Sequence, residues 1–131
     1  MRKLMILALM GIAMFFNFAK AQHKDKVYDF VSVQQQPQFP GGIKAFYSYL
    51  SKNIKYPESA KKNNEQGKVF LSFIVNKDGS LTDLQVIRGL SQSLNQEAIR
   101  VLKSSPKWNP AKLNKQLVRV KYNIAVNFSL G

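Results

Sequence analysis

The sequence predicts an α+β fold, a two-layer sandwich in which an antiparallel sheet of about three strands packs against helices. Three observations carry this. Val118, Val120, Tyr122, Ile124, Val126 and Phe128 alternate with Arg119, Lys121, Asn123, Ala125 and Asn127, the period of a long strand with one apolar face. Two shorter alternating runs flank Asp78-Gly79, a hairpin turn signal. The stretches around them space their apolar residues by three and four, as helices do.

The elements follow in order. Gln22 to Gln38 is polar and contains Val27-Tyr28-Asp29-Phe30-Val31, a linker or an edge strand. Pro37 and Pro40 keep their predecessors extended. Gly42 to Asn53 reads as a helix, with Ile43, Phe46 and Leu50 on one face and Tyr47 and Ile54 close to it. Pro57 suits the first turn of a second, short helix, with Ala60 on its buried side and Gly67 past its end. Val69, Leu71, Phe73 and Val75 form the inward face of a strand, and Phe70 and Ile74 imply partial cover on its other face. The return strand runs from Ser80 to Arg88, with a bulge expected near Thr82-Asp83 because Leu81 breaks the alternation. Ser93-x-x-Gln96 has the capping-box pattern and opens a helix striped by Leu94, Ala98, Val101 and Leu102. Pro106 stops it, Trp108 enters the core beneath the sheet, and Ala111 to Gln116 reads as a polar loop.

The N-terminus speaks to location. Arg2 and Lys3 precede an apolar run from Leu4 to Phe16, and Ala19-Lys20-Ala21 offers a small-residue cleavage site. A signal peptide over residues 1–21, cut after Ala21, is therefore expected, with export to the periplasm. The alternative is an uncleaved anchor, although the run falls short of the ~20 residues of a spanning helix. The expected domains are the signal peptide over 1–21, a polar segment over 22–35 and one folded domain over 36–131.

The formal charge is +13. Arg2, Lys3 and Lys20 fall in the leader, leaving +10 for residues 22–131. Export takes nucleic acid out of reach, so the charge points to a solubilising surface or to anionic envelope polymers. There are no cysteines, so the fold holds together by packing alone.

Catalysis has little support. His23, the sole histidine, sits beside the expected cut, and Asp25, Asp29, Glu58, Glu65, Asp78, Asp83 and Glu97 are dispersed. Asp78 reads as a turn former and Glu97 as a solvated or capping helix residue. Neither a metal nor a cofactor is indicated, and Gly41-Gly42 lacks the pattern of a phosphate loop.

An ordered set of residues carries a resemblance. It comprises Pro37-Gln38-Phe39-Pro40-Gly41-Gly42, Tyr56-Pro57-x-x-Ala60, Gly67-x-Val69, Phe73-x-Val75-x-x-Asp78-Gly79, Glu97-Ala98, Pro106-x-Trp108-x-Pro110 and Val118-x-Val120. From Gln36 to Phe128 the chain resembles the TonB C-terminal domain family, in the form common in Bacteroidota. The resemblance implies a non-enzymatic domain that binds the extended TonB box of an outer-membrane transporter, or another envelope protein, as an added strand. The implied partner-binding residues are Arg119, Lys121, Asn123, Ala125 and Asn127 on the last strand, with Gln36, Pro37, Gln38 and Phe39 near the transporter. Ala125 stands where many relatives carry proline, and it supplies an N–H that proline lacks.

Full energy transducers of the family also carry a membrane helix and a long Pro-rich spacer, and neither pattern occurs here. With the leader cleaved, binding without direct force transduction is the expectation; uncleaved, a short membrane-anchored transducer. A basic structural protein that binds peptidoglycan or lipopolysaccharide is the reading from a different class. A homodimer through the last strand follows from the same edge.

Overall fold

The computed structural model describes residues 26–131. The leader, the Ala21 cut, His23 and Asp25 lie outside the described residues. In chain order the elements are β1 (Val27–Asp29), a 3-10 turn (Phe30–Ser32), α1 (Ile43–Asn53), α2 (Glu58–Lys62), β2 (Gly67–Val75), β3 (Leu81–Arg88), α3 (Gln92–Lys103), β4 (Ala111–Leu113) and β5 (Gln116–Phe128).

β5 is the axis of the sheet, whose order is β1-β5-β2-β3 with β4 also paired to β5. β2 runs antiparallel to it without interruption, from Val75 opposite Val120 to Gly67 opposite Phe128. β2 and β3 are antiparallel with two register shifts, one of them between the pairs of Ser72 and Ile74. Asp83 sits there at a positive φ of 54°, the bulge expected near Thr82-Asp83.

The α+β class holds, but the sheet has five strands and is mixed. β1 pairs parallel to β5, Val27 opposite Arg119 and Asp29 opposite Lys121. The polar segment before residue 36 therefore takes part in the sheet. The expected loop over 111–116 is a tight hairpin in which β4 pairs with Gln116–Val118 across Asn114 and Lys115, both at positive φ. That geometry is a type I′ turn, which right-twisted strands favour.

The helices cover one face. Val69, Leu71, Phe73 and Val75 of β2 and Val126 and Phe128 of β5 meet Phe46 and Leu50 of α1 and Leu94, Ala98, Val101 and Leu102 of α3. Each such aliphatic or aromatic side chain contributes about 1.5–3 kcal/mol when fully buried. Trp108 closes the core, its ring 5.4 Å from Phe73, 5.5 Å from Phe46 and 5.8 Å from Phe39.

Three expectations within the helices change. The cap of α3 is Ser91, whose hydroxyl accepts from the Leu94 amide, two residues before the expected Ser93. Glu97 is 8% exposed rather than solvated. Ile43 also departs from its expected buried face: it is 61% exposed, while Phe46 and Leu50 are buried.

Candidate functional site

β5 is flanked on both sides over only part of its length. β2 lines one side from Val120 to Phe128. β1 shares Val120 and Lys121 with β2, so it lies on the opposite side, and it ends there. Beyond it, from Tyr122 to Phe128, that side carries no strand among the described residues. Alternate residues along it direct their N–H and C=O groups outward. The open edge is roughly 20 Å long at the rise of an extended chain.

Two clefts border this edge. The smaller, about 200 Å³, is lined by Pro37, Phe39, Ile43, Phe46, Trp108, Tyr122 and Ile124, with Gln36 and Gln38 at its rim. The larger, about 460 Å³, lies between Tyr47, Ser51 and Ile54 on one side and Ala125, Asn127 and Phe128 on the other. Ala125 and Asn127 alternate with the core residues and face away from the helices. Their place in the lining therefore puts this cleft at the strand's edge rather than under the sheet. It wraps the strand's end as far as Lys68. Neither cleft is lined by a carboxylate.

The outer wall of both clefts is α1. Ile43, Tyr47 and Ser51 form a stripe one side away from the buried Phe46 and Leu50. Ile43 and Tyr47 are large apolar side chains at 61% and 59% exposure.

The end of α1 is pinned by α3. Glu97 accepts the Lys55 amide at 2.7 Å and the Arg100 guanidinium at 2.6 Å. Arg100 also donates to the Asn53 carbonyl at 2.8 Å, capping the helix, and the Tyr49 hydroxyl donates to the Val101 carbonyl at 2.7 Å. Burial pushes the Glu97 carboxyl up, but the Arg100 and Lys55 hydrogen bonds outweigh it and hold the group below the usual carboxylate range. The same hydrogen bond, donated to the Glu97 carboxylate, raises Arg100. Burial, with Glu65 adding to it, raises Tyr56, which donates to the Glu65 carbonyl.

The residues expected from the sequence fall into three groups. Asn123, Ala125 and Asn127 lie on the open stretch of β5. Arg119 and Lys121 lie on the stretch already paired with β1, and Arg119 donates to the Asn76 side chain at 2.9 Å. Gln36, Pro37, Gln38 and Phe39 form a strap tied to the chain around β4 by reciprocal bonds of Gln38 with Asn109, 2.7 and 3.0 Å, and of Gln35 with Lys112. Pro37 and Phe39 are buried in that strap, and Gln36 and Gln38 are exposed. Sequence reasoning missed Ile43 and Tyr47 as a wall. The signal was an apolar arc on α1 too wide for one buried stripe.

On the outer sheet face, Phe70, Ile87, Arg88, Asn123 and Ala125 border a shallow depression. Among the described residues no group of three or more His, Cys, Asp or Glu is placed to hold a metal ion, and no helix is long and apolar enough to cross a membrane. The site can thus offer backbone pairing and two side-chain clefts, the larger with Lys68 at its margin.

Comparison with known proteins gives concordant results. The family described as Gram-negative bacterial TonB protein C-terminal matches residues 52–130, more than half of the chain. The TonB proteins of two Helicobacter pylori strains are each 35% identical over 57 residues, 43% of this chain and 20% of theirs. The match thus spans about a fifth of the length of these relatives. The solution structure of the Helicobacter pylori TonB C-terminal domain superposes with a TM-score of 0.52 at 29% identity, covering 70% of this chain and 87% of that one. The chain belongs to the family of Gram-negative bacterial TonB C-terminal domains.

Proposed function

We propose that this chain is an exported, periplasmic TonB-type binding domain. It recognises an extended peptide of an outer-membrane transporter, or of another envelope protein, by strand addition in support of TonB-dependent transport. It acts by binding and not by catalysis. Residues 1–21 serve as the cleaved signal, 22–35 lead into the sheet through β1, and 36–131 carry the binding domain. The single observation that supports this reading is the open edge of β5 from Tyr122 to Phe128, where the side away from β2 carries no strand among the described residues. Backbone hydrogen bonds supply affinity there and side-chain pockets supply specificity. The edge lies among Asn123, Ala125 and Asn127, with Lys121 and Arg119 at its β1 end and the Gln36–Phe39 strap beside it. A homodimer through β5 would use the same edge and compete with the peptide.

The test uses synthetic peptides tiling the periplasmic segments of outer-membrane transporters from the source bacterium. A binding peptide is remade with N-methyl groups on alternate backbone amides, in two complementary sets. Strand addition requires one set to abolish binding and the other to leave it nearly intact. Equal binding by both methylated sets and the parent sinks the proposal.

The +10 charge of residues 22–131, with Arg88 beside the outer-face depression, supports a second reading as a binder of anionic envelope polymers. That binding falls steeply with salt, whereas strand addition does not.

A further inference from the structure

We propose that the groove beside β5 reads two side chains of a bound strand placed four residues apart. An aliphatic side chain fills the cleft beside Trp108, and a bulky one with a polar tip fills the cleft beside Tyr47. This rests on strand addition at Tyr122–Phe128 and adds to it the side-chain pattern of the ligand.

The spacing comes from the two walls. On the strand side the small cleft is lined by Tyr122 and Ile124, and the large one by Ala125, Asn127 and Phe128. Their centres are about four residues apart, roughly 13 Å along an extended chain. On the helix side, Gly42, Ile43 and Phe46 border the small cleft and Tyr47, Leu50, Ser51 and Ile54 the large one. Their centres are about seven residues apart, roughly 10 Å of helix rise. The two walls advance by comparable distances, and a strand lying between them meets both clefts.

An added strand turns every second side chain toward the helix layer, so residues i, i+2 and i+4 face the groove. Phe46 lines the first cleft and Tyr47 the second, their rings 6.0 Å apart. This pair is the partition, and residue i+2 lies over it and is small. The chemistry of each cleft selects its occupant. Carbon surfaces of Pro37, Phe39, Ile43 and Trp108 close the small one, which suits Val, Leu or Ile. The large one has an apolar floor of Leu50, Ile54 and Phe128 and a polar rim of Ser51, Lys68 and Asn127. A tyrosine or tryptophan matches it, with an apolar body and a hydrogen-bonding tip.

The occupant is a single strand. β1 already lies on this edge as a lone strand, ending opposite Lys121 where the open stretch begins. The groove continues that line.

A phage-displayed library of random nonapeptides, selected on the full chain, tests the pattern. Enriched peptides are expected to pair an aliphatic residue with an aromatic one four positions away. Moving that pair to a spacing of three turns one side chain to the opposite face, and the synthetic peptide should bind about tenfold more weakly. Tyr47→Ala and Ile43→Ala change exposed residues, so both variants fold. Each should weaken binding of the parent peptide and leave unchanged the binding of a peptide with alanine in the matching position. Equal binding at both spacings, or additive losses in these pairings, overturns the two-cleft pattern if alternate N-methylation still abolishes binding. If N-methylation has no effect, strand addition fails and the pattern fails with it.

Discussion

Two glycines with nearly the same φ separate backbone strain from steric docking. Gly42, at φ 88° and ψ −166°, occupies a region essentially reserved for glycine, yet a Cβ added there meets nothing within 4 Å. Gly79 has φ 86°, and a Cβ there would stand 2.0 Å from the Trp108 carbonyl oxygen and 3.0 Å from the Trp108 nitrogen. Both of those atoms are backbone, so no rotamer change relieves the clash. Gly42→Ala should cost about 2 kcal/mol, the strain alone. Gly79→Ala carries a similar strain of about 1–2 kcal/mol. It also breaks the 2.8 Å bond from the Trp108 amide to the Gly79 carbonyl, worth about 1 kcal/mol. Pushing the hairpin from Trp108 loosens a side chain whose complete truncation would cost about 3–5 kcal/mol, and a fraction of that brings the total to about 4 kcal/mol. Urea unfolding followed by the fluorescence of Trp108, the sole tryptophan, measures both. Losses equal within about 0.5 kcal/mol would show that the hairpin is not docked on Trp108 as described. The consequence reaches function, because Trp108 is a wall of the small cleft.

Two further predictions concern the supports of the groove. The folded Glu97 carboxyl titrates below its unfolded value, so its contribution is fully present above the unfolded pKa and is lost as pH falls through the lowered one. Glu97→Gln should therefore cost about 2 kcal/mol at pH 7 and progressively less below the ordinary carboxylate range, measured by urea unfolding across pH; a pH-independent difference contradicts the ionic role. The Phe30 ring stands 5.9 Å edge-on to Tyr122 and helps hold β1 on the edge. Phe30→Ala removes a ring pair worth about 0.5–1.5 kcal/mol and should speed amide exchange in Val27–Asp29 and Arg119–Lys121 while leaving α3 unchanged; unchanged exchange in β1 refutes that role.

Periodicity made the long elements legible. The strict alternation from Val118 to Phe128 is β5, the runs around Asp78-Gly79 are β2 and β3, and the Leu94, Ala98, Val101, Leu102 stripe is the buried face of α3. β4 escaped, and β1 stayed one of two readings of Val27–Val31, a linker or an edge strand, because three residues cannot display a period and their pairing depends on distant chain. The turn between β4 and β5 carries Lys115 at φ 64°, a residue without turn preference, so its geometry left little local signal. The open edge was anticipated along Arg119–Asn127, but β1 covers its beginning, which no local pattern could announce. Ile43 and Phe46 are both apolar, and which of them meets the core depends on where the sheet edge lies. Glu97 misled for the opposite reason: its partners, the Lys55 amide and Arg100, include one 42 residues away in sequence.

An unpaired edge invites a second copy as readily as a peptide, and geometry decides between them. Pairing two β5 strands about a two-fold axis sets them about 4.8 Å apart. In one continuous sheet of that kind, both helix layers lie on the same face, with each α1 beside the seam. Packed helices need about 8–10 Å between axes. The exposed Ile43 and Tyr47 of α1 border clefts that open at this edge, so the helix reaches toward the seam rather than standing back from it. Two such walls would crowd one another at the seam, whereas a lone peptide carries no wall. The chain is therefore expected to sediment as a monomer at concentrations where a bound peptide saturates the groove. Truncating the wall with an Ile43→Ala/Tyr47→Ala double variant should raise its tendency to dimerise. A stable dimer of the unaltered chain, displaced by the peptide, would show that α1 does not guard the edge.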